Sequence, residues 1–197
     1  MDERASFEGL LSSAGSALAS AVALLIVFAI FQNTGRPNTQ LALEAAAAEV
    51  SGDISVLASS AVPYNDSHRY SFGGIALNIS SDYVVASEGG ETFARPLPTG
   101  LCPGRYCDGD LAWVGPESFV QYLNRTYDAP GTREAPLSEV NASAVKALLD
   151  GARQEMELRP LAVDLEKSIV IEKLFIFSHD DTNCELEADS YVFVYQR

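Results

Sequence analysis

Cys102-Pro103-Gly104-Arg105-Tyr106-Cys107 sets two thiols around a Pro-Gly pair. A turn at that pair would bring the sulfurs together and close a small disulfide loop. Such a bond contributes on the order of 2 kcal/mol by chain entropy and persists only in an oxidising compartment. The rival reading, a metal pair, lacks a second pair of ligands nearby, so no metal site is expected. Cys184 is left over, as a buried or free thiol or an intermolecular bridge. A second set of residues points to the same compartment. Asn65, Asn78, Asn124 and Asn141 each open an N-x-[ST] acceptor for glycosylation. Four such matches among seven asparagines exceed the roughly one that chance would give.

Catalytic chemistry finds less support. A hydrolase needs a nucleophile beside a base, and the only histidines are His68 and His179, both in turn-like contexts. The chain has no G-x-S-x-G, no H-E-x-x-H and no phosphate-cradling glycine loop. Asp108-Gly109-Asp110 and His179-Asp180-Asp181 could offer oxygens to calcium, but neither has the spacing of a known loop. Asp164 and Glu166 alternate, which would put both on one solvated strand edge. No catalytic residues and no cofactor are therefore expected, and the chain is not read as an enzyme.

Charge narrows the partners. The 197 residues carry a net charge of -14 with a pI near 4.4, and phosphate backbones would be repelled. Nucleic acid is not an expected partner. Lysine is confined to Lys146, Lys167 and Lys173, against ten arginines. An acidic, lysine-poor surface suits a salty exterior or an acidic envelope.

From Gly9 to Gly35 no residue is charged, and Leu24–Phe31 is the most apolar stretch. A bilayer crossing needs roughly 20 such residues. A cleaved secretory signal would want a basic n-region and a small-x-small site. Here Arg4 is offset by Asp2, Glu3 and Glu8, and Phe31-Gln32-Asn33-Thr34-Gly35 lacks the pattern. A buried core helix would alternate its faces. An uncleaved anchor, or a helix that moves from membrane into filament, fits better. Ser12, Ser13, Gly15, Ser16 and Ser20 would let such helices approach closely. Arg4 and Arg36 flank the run evenly, so the positive-inside rule does not orient it. The acceptors and cysteines place the remainder outside.

The elements that would carry these residues follow from periodicity. Gly35-Arg36-Pro37 breaks the chain, and Asn38 or Thr39 can cap a following helix. Leu43, Ala47, Val50, Ile54, Leu57 and Ala61 form one apolar stripe on about six turns, ended by Val62-Pro63. Period two then predicts strands over 70–78 and 83–86, with Gly89-Gly90 turning into Thr92-Phe93-Ala94. Residues 97–110 read as a loop holding the cysteine pair. Short helices are expected over 118–127 and, capped by Asn141, over 142–157. Ile169–Phe177 is apolar on both faces, as a central strand is. It pairs with 186–195, where Val192 and Val194 face one way and Tyr191, Phe193 and Tyr195 the other.

Ser6-Phe7-Glu8, followed at once by the apolar run, resembles the S-x-E-apolar opening of archaeal type IV pilins and pilin-like (pseudopilin) surface proteins. The resemblance covers residues 4–62 as a plan, with Ser6 and Glu8 as its motif positions. It implies an N-terminal helix, apolar first and amphipathic later, joined to a β-rich head. It also implies removal of a leader by a prepilin peptidase, and assembly through Glu8 pairing with a neighbouring subunit's amine. Cleavage after Glu3 would make Glu8 the fifth residue; cleavage after Ala5 would make it the third.

The expected fold is α+β: a long N-terminal helix, transmembrane and then amphipathic, followed by an antiparallel-sheet-rich head with one or two short helices. The segments are 1–35 for the membrane or filament-core helix, 36–62 for the amphipathic helix and 63–197 for the head. Two function classes follow. One is a pilin-like structural subunit of a surface filament, with membrane lipid and its own or related subunits as partners. The other is a singly anchored extracellular domain that binds a ligand or performs unrecognised chemistry.

Overall fold

The computed structural model describes residues 38–108, 111–180 and 185–197. The chain divides into two units, Met1–Ala42 and Leu43–Arg197. The second unit holds every strand among the described residues.

Helix α1 occupies residues 38–58. From Leu43 onward its buried face is Leu43, Ala46, Ala47, Val50, Ile54 and Leu57, the three-and-four spacing of one helical stripe. Burying each of the larger aliphatic side chains is worth about 1.5–3 kcal/mol. Ala61 does not continue the stripe. The helix has already closed through Ser59 N–H to the Ser55 carbonyl and Ser60 N–H to the Leu57 carbonyl, and Ala61 is exposed.

The partner of that stripe is a pair of four-stranded sheets. One has the order β1 (Tyr64–His68), β9 (Ile169–His179), β10 (Leu186–Gln196), β5 (Leu101–Pro103). The other has the order β4 (Glu91–Pro96), β3 (Tyr83–Glu88), β2 (Ala76–Ile79), β8 (Leu161–Ala162). A separate hairpin joins β6 (Arg105–Asp108) to β7 (Leu111–Val114). Helices α2 (Gly115–Tyr127) and α3 (Glu139–Leu158) complete the fold.

The β9–β10 pair separates two cores. Val192 and Val194 pack with Ile169, Ile171, the α1 stripe and Leu77, Ile79, Val84 and Ala86 of the second sheet. Tyr191 and Phe193 face the other way, into Trp113, Phe119 and Leu123 beside Val145, Leu149 and Ala152 of α3. Both faces of the pair are covered, which is why its sequence is apolar at consecutive positions.

Over the described residues the protein is α+β with a β-rich head and three helices, and it departs from the expected plan in several places. Among the described residues no helix is long and apolar enough to cross a membrane; α1 itself carries Glu44, Glu49 and Asp53. The expected long membrane helix over 1–35 lies outside the described residues. The first sheet is not wholly antiparallel, because β5 runs parallel to β10 with Leu101 opposite Val192. Helix α3 spans 20 residues, and Ser138 caps it in place of Asn141, its side chain accepting the Asn141 N–H. The stretch expected as one loop over 97–110 supplies β5 and β6, and its last two positions lie outside the described residues. Pro103 tolerates this position because it ends a strand at the sheet edge, where no N–H is required of it. Residues 70–75 are not a strand. The buried Tyr70 donates its hydroxyl to Asp53 of α1 at 2.8 Å, drawing the chain onto the helix, and the strand forms earlier, as β1.

Candidate functional site

Ser6 and Glu8, the expected assembly residues, lie outside the described residues, as does Cys184. The expected Cys102–Cys107 disulfide is not formed: Cys102 is a buried free thiol and Cys107 an exposed one. The reason is local. The Pro103-Gly104 pair does not turn the chain back. Leu101–Pro103 runs along β10, the Gly104 N–H bonds the Val194 carbonyl at 2.8 Å, and β6 begins at Arg105. Cys102 thus sits on β5 of the four-stranded sheet and Cys107 on β6 of the separate hairpin, the first buried and the second exposed. A Cβ on Gly104 would overlap the Tyr195 ring, so glycine is required by the close approach. Burial pushes the Cys102 thiol up to about 11, against the opposing pull of Arg153.

The four acceptor asparagines are scattered. Asn65 lies on β1, where its side-chain amide donates to the Glu172 carboxylate. Asn78 is in the middle of β2, paired to β3 and β8. Asn124 is exposed on α2, and Asn141 sits half-buried in the first turn of α3. Among the described residues no group of three or more His, Cys, Asp or Glu side chains could hold a metal ion. Asp164 and Glu166 do not share a strand edge. Asp164 forms a turn in which its carboxylate accepts the Glu166 N–H at 3.0 Å, and that bond, with Lys167 second, holds its carboxyl below the usual range.

His68 on β1 lies between two carboxylates, its Nδ1 3.6 Å from Asp53 and its Nε2 3.2 Å from Asp66. The ring stacks on Tyr70 with centroids 5.9 Å apart. Burial, and then the hydrogen bond to Asp53, push the Tyr70 phenol well up. Ser60 borders the same hollow, but its hydroxyl is committed to the Val62 carbonyl at 3.0 Å. The group has no free nucleophile aligned on the imidazole; it ties β1 to α1.

The most distinctive concavity forms where β6, the end of α3 and the end of β10 meet. It is a cleft of about 470 Å³ whose lining includes Arg105, Arg159, Lys167 and Arg197 against one acidic side chain, Glu155. Met156, Leu161 and Val194 give it an apolar floor. Each cation arrives on a different support. Arg105 opens β6, whose hairpin is held by Trp113: the indole N–H donates to the Pro103 carbonyl at 3.0 Å, and its ring stacks on Tyr106 at 4.5 Å. Arg159 follows α3, paired with Glu155 at 3.3 Å while 82% exposed. Lys167 sits on the Asp164 turn, 3.3 Å from that carboxylate. The turn is fixed by Gln196, which accepts the Asp164 N–H at 3.0 Å and donates to its carbonyl at 2.8 Å. Arg197 lies over the Tyr195 ring and donates to its hydroxyl at 3.0 Å; that hydroxyl donates onward to Glu172.

Such an arrangement can hold an anion. Its lining includes one thiol, Cys107, and no histidine. Sequence reasoning missed all four cations, which are separated by up to ninety-two positions and share no spacing. The available signal was scarcity: in a chain with 13 basic residues, four meet here. Comparison of the chain with protein-family models, with curated proteins and with solved structures finds no match.

Proposed function

We propose that this chain is a pilin-like structural or interaction subunit of a cell-surface assembly, held to its membrane or filament through the uncharged N-terminal segment with its head outside. The observation that carries this reading is the burial of the α1 stripe, Leu43 to Leu57, in the core of the β-rich head. A head that takes the end of an N-terminal helix into its own core transmits force and position directly from that helix. An ectodomain on a simple tether needs no such seam. The resemblance of Ser6-Phe7-Glu8 and the following run to archaeal pilin-like openings supports the same reading, as do the acceptor asparagines.

Glu8→Leu tests it. In an apolar filament core an unpaired carboxylate costs several kcal/mol, and pairing Glu8 with a neighbour's amine would offset that cost. The variant should keep a folded head and its membrane association yet drop out of polymers. If the variant enters surface polymers as the parent does, the pilin-like reading fails and the singly anchored domain replaces it.

A further inference from the structure

The cleft between β6, α3 and β10 runs against the electrostatics of the rest of the chain. With a net charge of -14, cations would be expected to lie interspersed among carboxylates. Here four cationic side chains and one acidic side chain line a single concavity. The two ion pairs made there, Arg159–Glu155 and Lys167–Asp164, are exposed pairs at i,i+4 and i,i+3, a kind that contributes little and exchanges readily. Arg105 is exposed and forms no ion pair among the described residues. Three of the four cations are arginines, whose planar forks match carboxylate and phosphate oxygens in pairs.

Size and floor narrow the ligand. About 470 Å³ falls in the range of sites for small organic molecules, roughly 300–1,000 Å³. The apolar floor of Met156, Leu161 and Val194 suits a carbon body, and the cations on the rim suit charge at more than one of its ends. The overall negative charge of the protein does not forbid this, because charges beyond about 8 Å are largely screened at physiological salt.

We propose that this cleft binds a compact organic anion carrying two or more carboxylate or phosphate groups. Arg105 of β6 and Arg159 at the end of α3 engage it, together with Lys167 and Arg197. Occupancy does not depend on whether the chain assembles into a polymer.

The protein carries its own reporters. Trp113 is the only tryptophan, and it stacks on Tyr106 of the cleft wall. Cys107 is an exposed thiol in the lining, while Cys102 is buried. Full-length protein in detergent is titrated with citrate, with inorganic pyrophosphate and with uncharged sucrose, following Trp113 fluorescence and alkylation of Cys107 by peptide mass spectrometry. Citrate or pyrophosphate should give a saturable fluorescence change and slow Cys107 alkylation, and sucrose neither. The stronger of the two anions identifies the acid group preferred. Arg105→Gln and Arg159→Gln, both exposed positions with little risk to folding, should each weaken binding about tenfold or more, the loss of a charge-assisted bond. Arg125→Gln on exposed α2 should leave it unchanged. Absence of saturation with both anions overturns the proposal. So does binding that is insensitive to the two cleft substitutions, or that sodium chloride reproduces at equal ionic strength.

Discussion

Lys173 offers the sharpest test of how the head grips α1. It lies on the central strand β9, 8% exposed, and its ammonium donates to the Ala58 and Ser60 carbonyls at 2.6 Å each. Those carbonyls belong to the end of α1, where backbone acceptors lack helical partners and a cation complements the helix dipole. The ammonium also lies 5.1 Å from the centre of the Phe175 ring. Lys173→Met keeps the apolar stem and removes the charge. Two hydrogen bonds to a charged donor, about 1.5–3 kcal/mol each, are lost. The desolvation cost of the ammonium, several kcal/mol, is lost with them. Water can reach part of the half-exposed helix end and restore some bonding. Because the partners are neutral carbonyls that remain behind, the balance falls on the side of destabilisation, by about 1–3 kcal/mol. At about 2–4 °C per kcal/mol for a chain of this size, the melting temperature should fall by roughly 2–12 °C. Lys173→Ala adds a cavity and should cost about 1–2 kcal/mol more. Urea denaturation gives the global change. Hydrogen exchange at the Ser59 and Ser60 amides, which bond Ser55 and Leu57, gives the local one and should accelerate. A Met variant as stable as the parent, with unchanged exchange at those amides, would refute the claim that Lys173 pins the helix end.

Native alkylation should label Cys107 at once and Cys102 only after unfolding; a Cys102–Cys107 bridge in a non-reducing peptide map would contradict the structure. Because burial raises the Cys102 thiol to about 11, the folded chain holds that proton after the unfolded chain has lost it. Stability is therefore full below the ordinary thiol value of about 8.5 and is lost as pH rises from there to about 11. Cys102→Ser should flatten that decline by about 1.4 kcal/mol per pH unit, and equal slopes in the two proteins would count against the buried thiol. Two glycines should behave in opposite ways. Gly104→Ala must displace the Tyr195 ring and should cost about 1–3 kcal/mol. Gly151→Ala in α3 meets nothing within 4 Å and should gain about 0.5–1 kcal/mol from helix propensity. Thermal melts of both variants read this directly, and a neutral Gly104→Ala would mean that Tyr195 does not pack there.

What could be read from the sequence was set by periodicity over long segments. The α1 stripe and the opposed faces of Val192 and Val194 against Tyr191 and Phe193 repeat often enough to declare their burial. Short elements gave way to tertiary contacts. β1 was hidden because Asn65-Asp66-Ser67-His68 is polar throughout; it pairs as an edge with β9, held by backbone bonds that need no apolar side chains. β5 was hidden by Pro103 and Gly104, whose turn-forming chemistry yields here to the edge of β10 and the face of Tyr195. Residues 70–75 kept a strand-like pattern, yet the Tyr70 hydroxyl found Asp53 on a helix seventeen positions earlier. The cationic cleft was illegible for a related reason. Arg105, Arg159, Lys167 and Arg197 sit at the ends of separate elements, and only the closure of the two cores brings them together.

The claim that this chain serves in a surface assembly is tested most directly by shearing intact cells that make it and pelleting the released material. The account predicts the chain in the sheared high-speed pellet as part of a polymer visible by immunogold labelling of the head, with the head open to added protease while a cytoplasmic control stays intact. Recovery of the chain solely as single copies in the cell membrane, with none in the sheared polymer, would contradict it.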